Sequence, residues 1–164
     1  MESTILTKTQ IDQKIKRIAY QIYECNLNQK SIVLAGITDN GYIFAKKIKK
    51  VLAEISPLEI VLCEVIIDKK NPLNPVQTSL NIADYKNKSL VLVDDVLNSG
   101  TTLMYAIKHF LEVPLSQFKT AVLVDRNHKK YPVKADFKGI SLSTSLQEHV
   151  QVSFTAKDSK AYLA

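Results

Sequence analysis

The sequence predicts an α/β domain, with a central, mostly parallel sheet flanked by helices and a small carboxyl-terminal hood. Three observations predict it. Apolar residues recur at helical spacing in three separate stretches. Between them lie apolar runs with little alternation, as expected of strands covered on both faces. The two patterns take turns along the chain, as a sheet built from βα units requires.

In chain order, Ile11, Ile15, Ile18, Ala19 and Ile22 form one apolar face of a first helix over 9–25, with Thr9 and Asp12 as a weak capping box. The run 31–36, SIVLAG, reads as a buried strand, and Thr38-Asp39-Asn40-Gly41 as a turn. A second helix over 42–55 buries Phe44, Ala45, Ile48, Val51 and Leu52 and turns Lys46, Lys47, Lys49 and Lys50 to water. A second strand covers 59–67. The polar, basic stretch 68–75, broken by Pro72 and Pro75, reads as a mobile loop of the kind that forms functional lids. A short strand at 78–82 borders it. Leu90-Val91-Leu92-Val93 is a third core strand, followed by a helix that buries Leu103, Ala106, Ile107, Phe110 and Leu111. Residues 118–124 give a fourth strand. The rest lacks a long helix and caps one end of the sheet.

Composition bounds the function. The chain has 164 residues, 46% hydrophobic and 23% charged, which suits one globular domain over 1–154, with the hood at roughly 125–154 and a flexible tail at 155–164. These values exclude a disordered chain, a collagen-like fibre and a coiled coil. No apolar run approaches the roughly 18 residues of a membrane helix. The start MESTILTKTQ does not read as a signal peptide. Cys25 and Cys63 have no metal or redox spacing. These features together predict a protein of the reducing cytoplasm with no membrane partner. The 22 basic residues exceed the 16 acidic ones, for a net charge of +6, which favours anionic partners such as nucleotides, phosphates or RNA.

The chemistry concentrates at Val91 to Thr102. Four apolar residues deliver Asp94 and Asp95 to the carboxyl end of a central strand, the edge where open α/β sheets bind ligands. Asn98-Ser99-Gly100-Thr101-Thr102 then leads into a helix amino terminus, whose free N–H groups and positive dipole end suit a phosphate. Ser99, Thr101 and Thr102 add hydroxyl donors. Adjacent carboxylates beside a phosphate site are repulsive unless they accept from ligand hydroxyls or face a metal. A sugar phosphate meets both conditions.

The string LVLVDDVLNSGTT resembles the phosphoribosyl-pyrophosphate signature of the type I phosphoribosyltransferases. Within that superfamily the chain is most similar to the pyrimidine-operon attenuator proteins with uracil phosphoribosyltransferase activity. Residues 18–22, 34–37, 93–97, 123–128 and 132–139 all fall in family order, and the resemblance spans about 5–152. It implies the type I phosphoribosyltransferase fold and transfer of the 5-phosphoribosyl group from phosphoribosyl pyrophosphate to a nucleobase in nucleotide salvage. Uracil is the first candidate and a purine base the second. Asp94 and Asp95, the implied catalytic pair, would contact the ribose hydroxyls, with Mg²⁺ held chiefly by the pyrophosphate. Asn98, Ser99, Gly100, Thr101 and Thr102 would cradle the 5′-phosphate. Thr38, Asp39, Asn40 and Gly41 would form the pyrophosphate loop, Lys69 and Lys70 would ride on the lid, and the region after Val124 would hold the base. The resemblance further implies a homo-oligomer, a dimer or larger.

The chain departs from the family pattern at three places. Attenuator relatives usually carry Lys-Thr-Arg-Gly where this chain has Thr38-Asp39-Asn40-Gly41, and often a basic residue at Thr101. Purine salvage relatives commonly carry an aspartate at Asn98, which as an amide cannot act as a base. Asp125-Arg126-Asn127-His128 borders the base site, faces RNA as the family does, or is an ordinary loop. Lys129, Lys130, Lys134 and Lys138, with Tyr131 and Phe137 among them, read as a solvated face ahead of an RNA patch. Only Arg17 and Arg126 offer the forked geometry nucleic acids favour. An RNA-binding or nucleotide-sensing regulator on the same scaffold, with weak or no catalysis, is the alternative function.

Overall fold

The structure, a computed structural model, describes residues 2–143, 145, 148–155 and 157–164. Its elements run β1 Ser3–Leu6, α1 Lys8–Glu24, β2 Ser31–Ile37, α2 Asn40–Ile55, β3 Glu59–Ile66, β4 Gln77–Thr78, α3 Ile82–Tyr85, β5 Ser89–Leu97, α4 Thr101–Phe110, β6 Gln117–Asp125, β7 Phe137–Ser141, β8 Val150–Phe154 and β9 Ser159–Leu163.

Six strands form the main sheet in the order β4-β3-β2-β5-β6-β7, parallel except for β4 at the edge. Buried strands point alternate residues to opposite faces. Leu34, Val91, Val93 and Leu123 pack under α1 and α2 with Ile18, Phe44, Ile48 and Leu52. Val33, Ala35, Leu90, Leu92 and Val122 pack under α4 with Leu103, Ala106 and Phe110. Both faces are covered, so the strand sequences show no polar alternation.

Neighbouring β2 and β5 send the chain in opposite directions, β2 through α2 to β3 and β5 through α4 to β6. This is the topological switch point of the sheet, and the crevice beyond the carboxyl ends of such strands receives the ligand. The loops after β2, β3, β5 and β6 all open at that edge.

A second, three-stranded antiparallel sheet, β1-β9-β8, forms the hood. It docks on α2, where Phe154 stacks on Phe44 with ring centroids 6.1 Å apart.

Several expectations are corrected here. The tail over 155–164 is not frayed: β9 pairs with both β1 and β8, and Ala161 is buried. The hood does not match 125–154. It takes a strand from each end of the chain, while residues 137–141 extend the main sheet. Residues 144, 146 and 147 of that span, and 156 of the tail, lie outside the described residues. The capping box is Thr7 with Gln10, two residues earlier than Thr9 with Asp12, because Thr7 carries the extended backbone a cap needs. The strand placed at 78–82 is only Gln77–Thr78, and Ile82 begins a short helix. Leu111 is 63% exposed because α4 ends at Phe110.

Candidate active site

Strand β5 continues four residues past its apolar run, so Asp94 to Leu97 remain in strand geometry, paired with β6 through Leu97↔Asp125. Alternation then separates the two carboxylates. Asp94 is 3% exposed, and Asp95 is half-buried. Asp94 Oδ1 accepts from the Asp95 amide at 2.9 Å, and Asp95 Oδ1 accepts from the Val96 amide at 2.8 Å. Burial pushes the Asp94 carboxyl well above the usual carboxylate range. The neighbouring Asp95 charge adds to the rise, and Lys69 opposes it.

The turn after β5 reverses at Gly100, whose φ of +89° favours glycine and whose missing β-carbon leaves room for Val133 Cγ1, 2.4 Å from where that carbon would sit. Ser99 Oγ and Thr101 Oγ1 lie 2.9 Å apart, and the Thr101 amide donates to Ser99 Oγ at 3.3 Å. The amides of Lys130 and Tyr131 donate to the Ser99 carbonyl at 2.7 and 3.1 Å, bracing the turn from the β6–β7 connection. Thr101 and Thr102 open α4, presenting a helix amino terminus to the crevice.

These residues share one cavity of about 210 Å³, walled by Lys69, Asp94, Asp95, Asn98, Ser99, Gly100, Thr101, Thr102 and, from the hood, Val150. Lys69 sits in the loop after β3. That loop is organised by Asp68, whose carboxylate accepts from the amides of Lys70 at 2.9 Å and Asn71 at 3.2 Å and from Asn74 Nδ2 at 3.0 Å. These bonds, the Asn71 and Lys70 amides foremost, hold the Asp68 carboxyl below its ordinary value. Lys70 does not reach the cavity wall.

The turn after β2 adjoins the cavity without lining it. Asn40 Nδ2 donates to the Val152 carbonyl at 2.8 Å and to Asp95 Oδ2 at 3.3 Å, tying loop, hood and carboxylate together. Thr38 Oγ1 donates to Glu64 Oε1 at 3.1 Å. Asp39 is exposed at the start of α2, where a helix amino terminus favours an anion.

Asp125 and Arg126 also lie off the cavity wall. Asp125 is 1% exposed, with Lys129 Nζ at 3.4 Å and Lys138 Nζ at 4.0 Å. Arg126 Nη1 donates to Asn98 Oδ1 at 3.0 Å, and Nη2 donates to the carbonyls of Ser145 at 3.2 Å and Glu148 at 2.5 Å. Sequence reasoning did not single out Val133, Val150 or Glu64 individually. They are ordinary residues in one dimension, brought in by pairing between distant segments.

Two carboxylates, one of them strongly biased to the neutral form, do not by themselves make a metal site. Among the described residues no group of three or more His, Cys, Asp or Glu could hold a metal ion. The donor set suits an ion carried mainly by a ligand's own phosphates. No helix among the described residues is long and apolar enough to cross a membrane.

The comparisons with known proteins place the chain in a family and its fold among solved structures. A family model described as phosphoribosyl transferase domain matches residues 2–157. The bifunctional protein PyrR of Pediococcus pentosaceus is 33% identical over 162 residues, covering 93% of this chain and 92% of the relative. That of Streptococcus mutans is 36% identical over 151 residues, covering 89% and 85%. Among solved structures, the hypoxanthine phosphoribosyltransferase of Trypanosoma cruzi superposes with a TM-score of 0.76 at 17% identity, covering 90% of this chain and 84% of that one. A hypoxanthine-guanine phosphoribosyltransferase of Bacillus anthracis gives 0.71 at 21% identity, covering 85% and 82%. These structural likenesses show a shared fold.

Proposed function

Because this chain belongs to the phosphoribosyltransferase family, we propose that it moves the 5-phosphoribosyl group of phosphoribosyl pyrophosphate onto a nucleobase in nucleotide salvage, with uracil the first candidate and a purine base the second. One observation carries the reading: Asp94, Asp95, the Asn98–Thr102 turn and Lys69 wall a single cavity at the switch point of the sheet.

In this reading the turn's backbone N–H groups and the hydroxyls of Ser99, Thr101 and Thr102 take the 5′-phosphate. Asp95 and Asp94 accept from the ribose hydroxyls, which add to the one amide donor Asp94 has in the protein. Lys69 meets the departing pyrophosphate. Closure of the 68–75 loop over the cavity keeps water from the sugar while positive charge builds at its anomeric carbon. Mg²⁺, carried chiefly by the pyrophosphate with Asp94 and Asp95 acting on it only indirectly, would neutralise charge on the leaving group. The protein would work in the cytoplasm as a homo-oligomer, which sedimentation would size.

The RNA-regulator reading has less to stand on. Arg17 Nη2 donates to the carbonyls of Lys138 and Gly139 at 2.6 and 2.7 Å, and Arg126 is buried against Asn98 and the hood, so both guanidinium groups are used within the chain. Pyrophosphate release from phosphoribosyl pyrophosphate, measured with a panel of bases and Mg²⁺, decides between them. Turnover with at least one base is expected. No turnover with any common base, together with a sequence-selective, salt-dependent RNA shift, would replace the enzyme reading with the regulator.

A further inference from the structure

Asn98 is the first residue beyond β5 and forms part of the cavity wall. Its side chain is an amide, one end accepting and the other donating, and amides of this kind can flip. Arg126 removes that freedom. A guanidinium carries donors only, so its Nη1, 3.0 Å from Asn98 Oδ1, tolerates the oxygen and repels the amide nitrogen. Arg126 is itself fixed. It is 7% exposed, and its Nη2 donates to two carbonyls of the β7–β8 connection that leads into the hood, those of Ser145 and Glu148. Asn98 Oδ1 is therefore committed to the protein. No described residue accepts from Asn98 Nδ2, so its N–H groups remain available to whatever occupies the cavity.

Building on the phosphoribosyl-transfer reading, we propose that Arg126 is a positioning residue that locks the Asn98 amide with its N–H groups toward the ligand, making Asn98 a selector for a base with a ring carbonyl at that edge over one with an amino group there. A carbonyl oxygen accepts from Asn98. An amino group meets a donor with a donor, and one polar contact is lost on each side. An acid in place of Asn98 reverses this: paired with Arg126, it keeps the strut intact and offers the ligand only acceptors.

The test uses Asn98→Asp, which retains a partner for Arg126 and so keeps the hood in place. Uracil is compared with cytosine and isocytosine, each of which exchanges one of the two ring carbonyls for an amino group. All three are neutral, so the added charge of Asn98→Asp affects them alike, and ratios between them isolate the contact. The kcat/KM ratio of uracil to the better of the two amino bases should fall by about tenfold or more, the size of one hydrogen bond made or lost. Arg126→Met, which frees the amide to flip, should also lower the ratio, and Arg126→Lys, which keeps a donor, should restore it. Calorimetry with the 5′-monophosphates of the same bases repeats the comparison without turnover. If wild-type protein binds these nucleotides but releases no pyrophosphate, the transfer reading fails while the selector is still judged by the binding ratios. Ratios unchanged in Asn98→Asp, in kinetics or in binding, overturn the selector and leave the transfer reading standing.

Discussion

Gly41 is seated on Asp94. A β-carbon on Gly41 would lie 2.9 Å from Asp94 Oδ1 and 3.0 Å from Asp94 Cα, so the first turn of α2, just after the β2 loop, rests on the residue that carries the buried carboxyl. The nearby Val93 carbonyl, also at 2.9 Å, is backbone of a central strand and cannot give way. Gly41→Ala should cost roughly 1–3 kcal/mol, as overpacked sites do, and should weaken phosphoribosyl pyrophosphate binding as the loop lifts. Urea unfolding and ligand calorimetry check the two effects. An alanine variant as stable and as avid as the parent would unseat this relationship.

The same carboxyl gives a signature in pH. In the unfolded chain Asp94 ionises near its ordinary value of 3.8, whereas burial holds it neutral in the fold to a much higher pH. Between those two points the unfolded state binds fewer protons, so Asp94 makes the ligand-free protein less stable as pH rises. Against Asp94→Asn, which is neutral throughout, wild-type stability should fall as pH rises above about 4. Asp68, with its lowered value, acts the opposite way and only as pH drops below 3.8. Parallel slopes for the two proteins in urea titrations across that range would show that Asp94 is ionised in the fold.

Lys69 and Lys70 are neighbours with different surroundings. Lys69 lines the cavity and lowers the Asp94 shift, while Lys70 contributes its amide to Asp68 and stays off the wall. Lys69→Met should raise the KM for phosphoribosyl pyrophosphate about tenfold, the loss of one charged contact, and Lys70→Met should raise it less. Steady-state kinetics decides it, and equal effects from both would mean that the loop closes differently from its present turn.

Removing residues 157–164 should damage the site as well as the fold. β9 is the middle strand of the hood, and its loss leaves the edges of β1 and β8 unpaired and uncovers Val150, a cavity wall residue. Thermal unfolding should come at a lower temperature and base binding should weaken. A truncated chain with unchanged melting and activity would return these residues to the status of a tail.

The parallel core was legible because it obeys local rules. Leu90 to Val93 and Ile32 to Gly36 are continuous runs without a polar side chain, and Ile11 to Ile22 keeps a helical period, so hydrophobic pattern alone places them. The Asp94–Thr102 segment was legible for the same reason, as one contiguous string. The hood was not. Ser3–Leu6 and Ser159–Leu163 are short strands at opposite ends of the sequence that make sense only as partners, Ser3 opposite Leu163. Arg126 and Asn40 were legible as polar residues near the site, but their bonds to Asn98, Asp95 and the Val152 carbonyl depend on distances across 28, 55 and 112 residues of chain, which no local pattern encodes.

The antiparallel register of that outer pair has a mechanical side. Residues 2 and 164 leave the β1–β9 ladder at the same end, beside Ser3 and Leu163. Tension applied between the two ends would load that rung first and then the next, opening the pair like a zipper instead of shearing all its bonds at once. The hood would give way while the six-stranded sheet was still unstrained, so the weakest point under load is the cover of the cavity and not its floor.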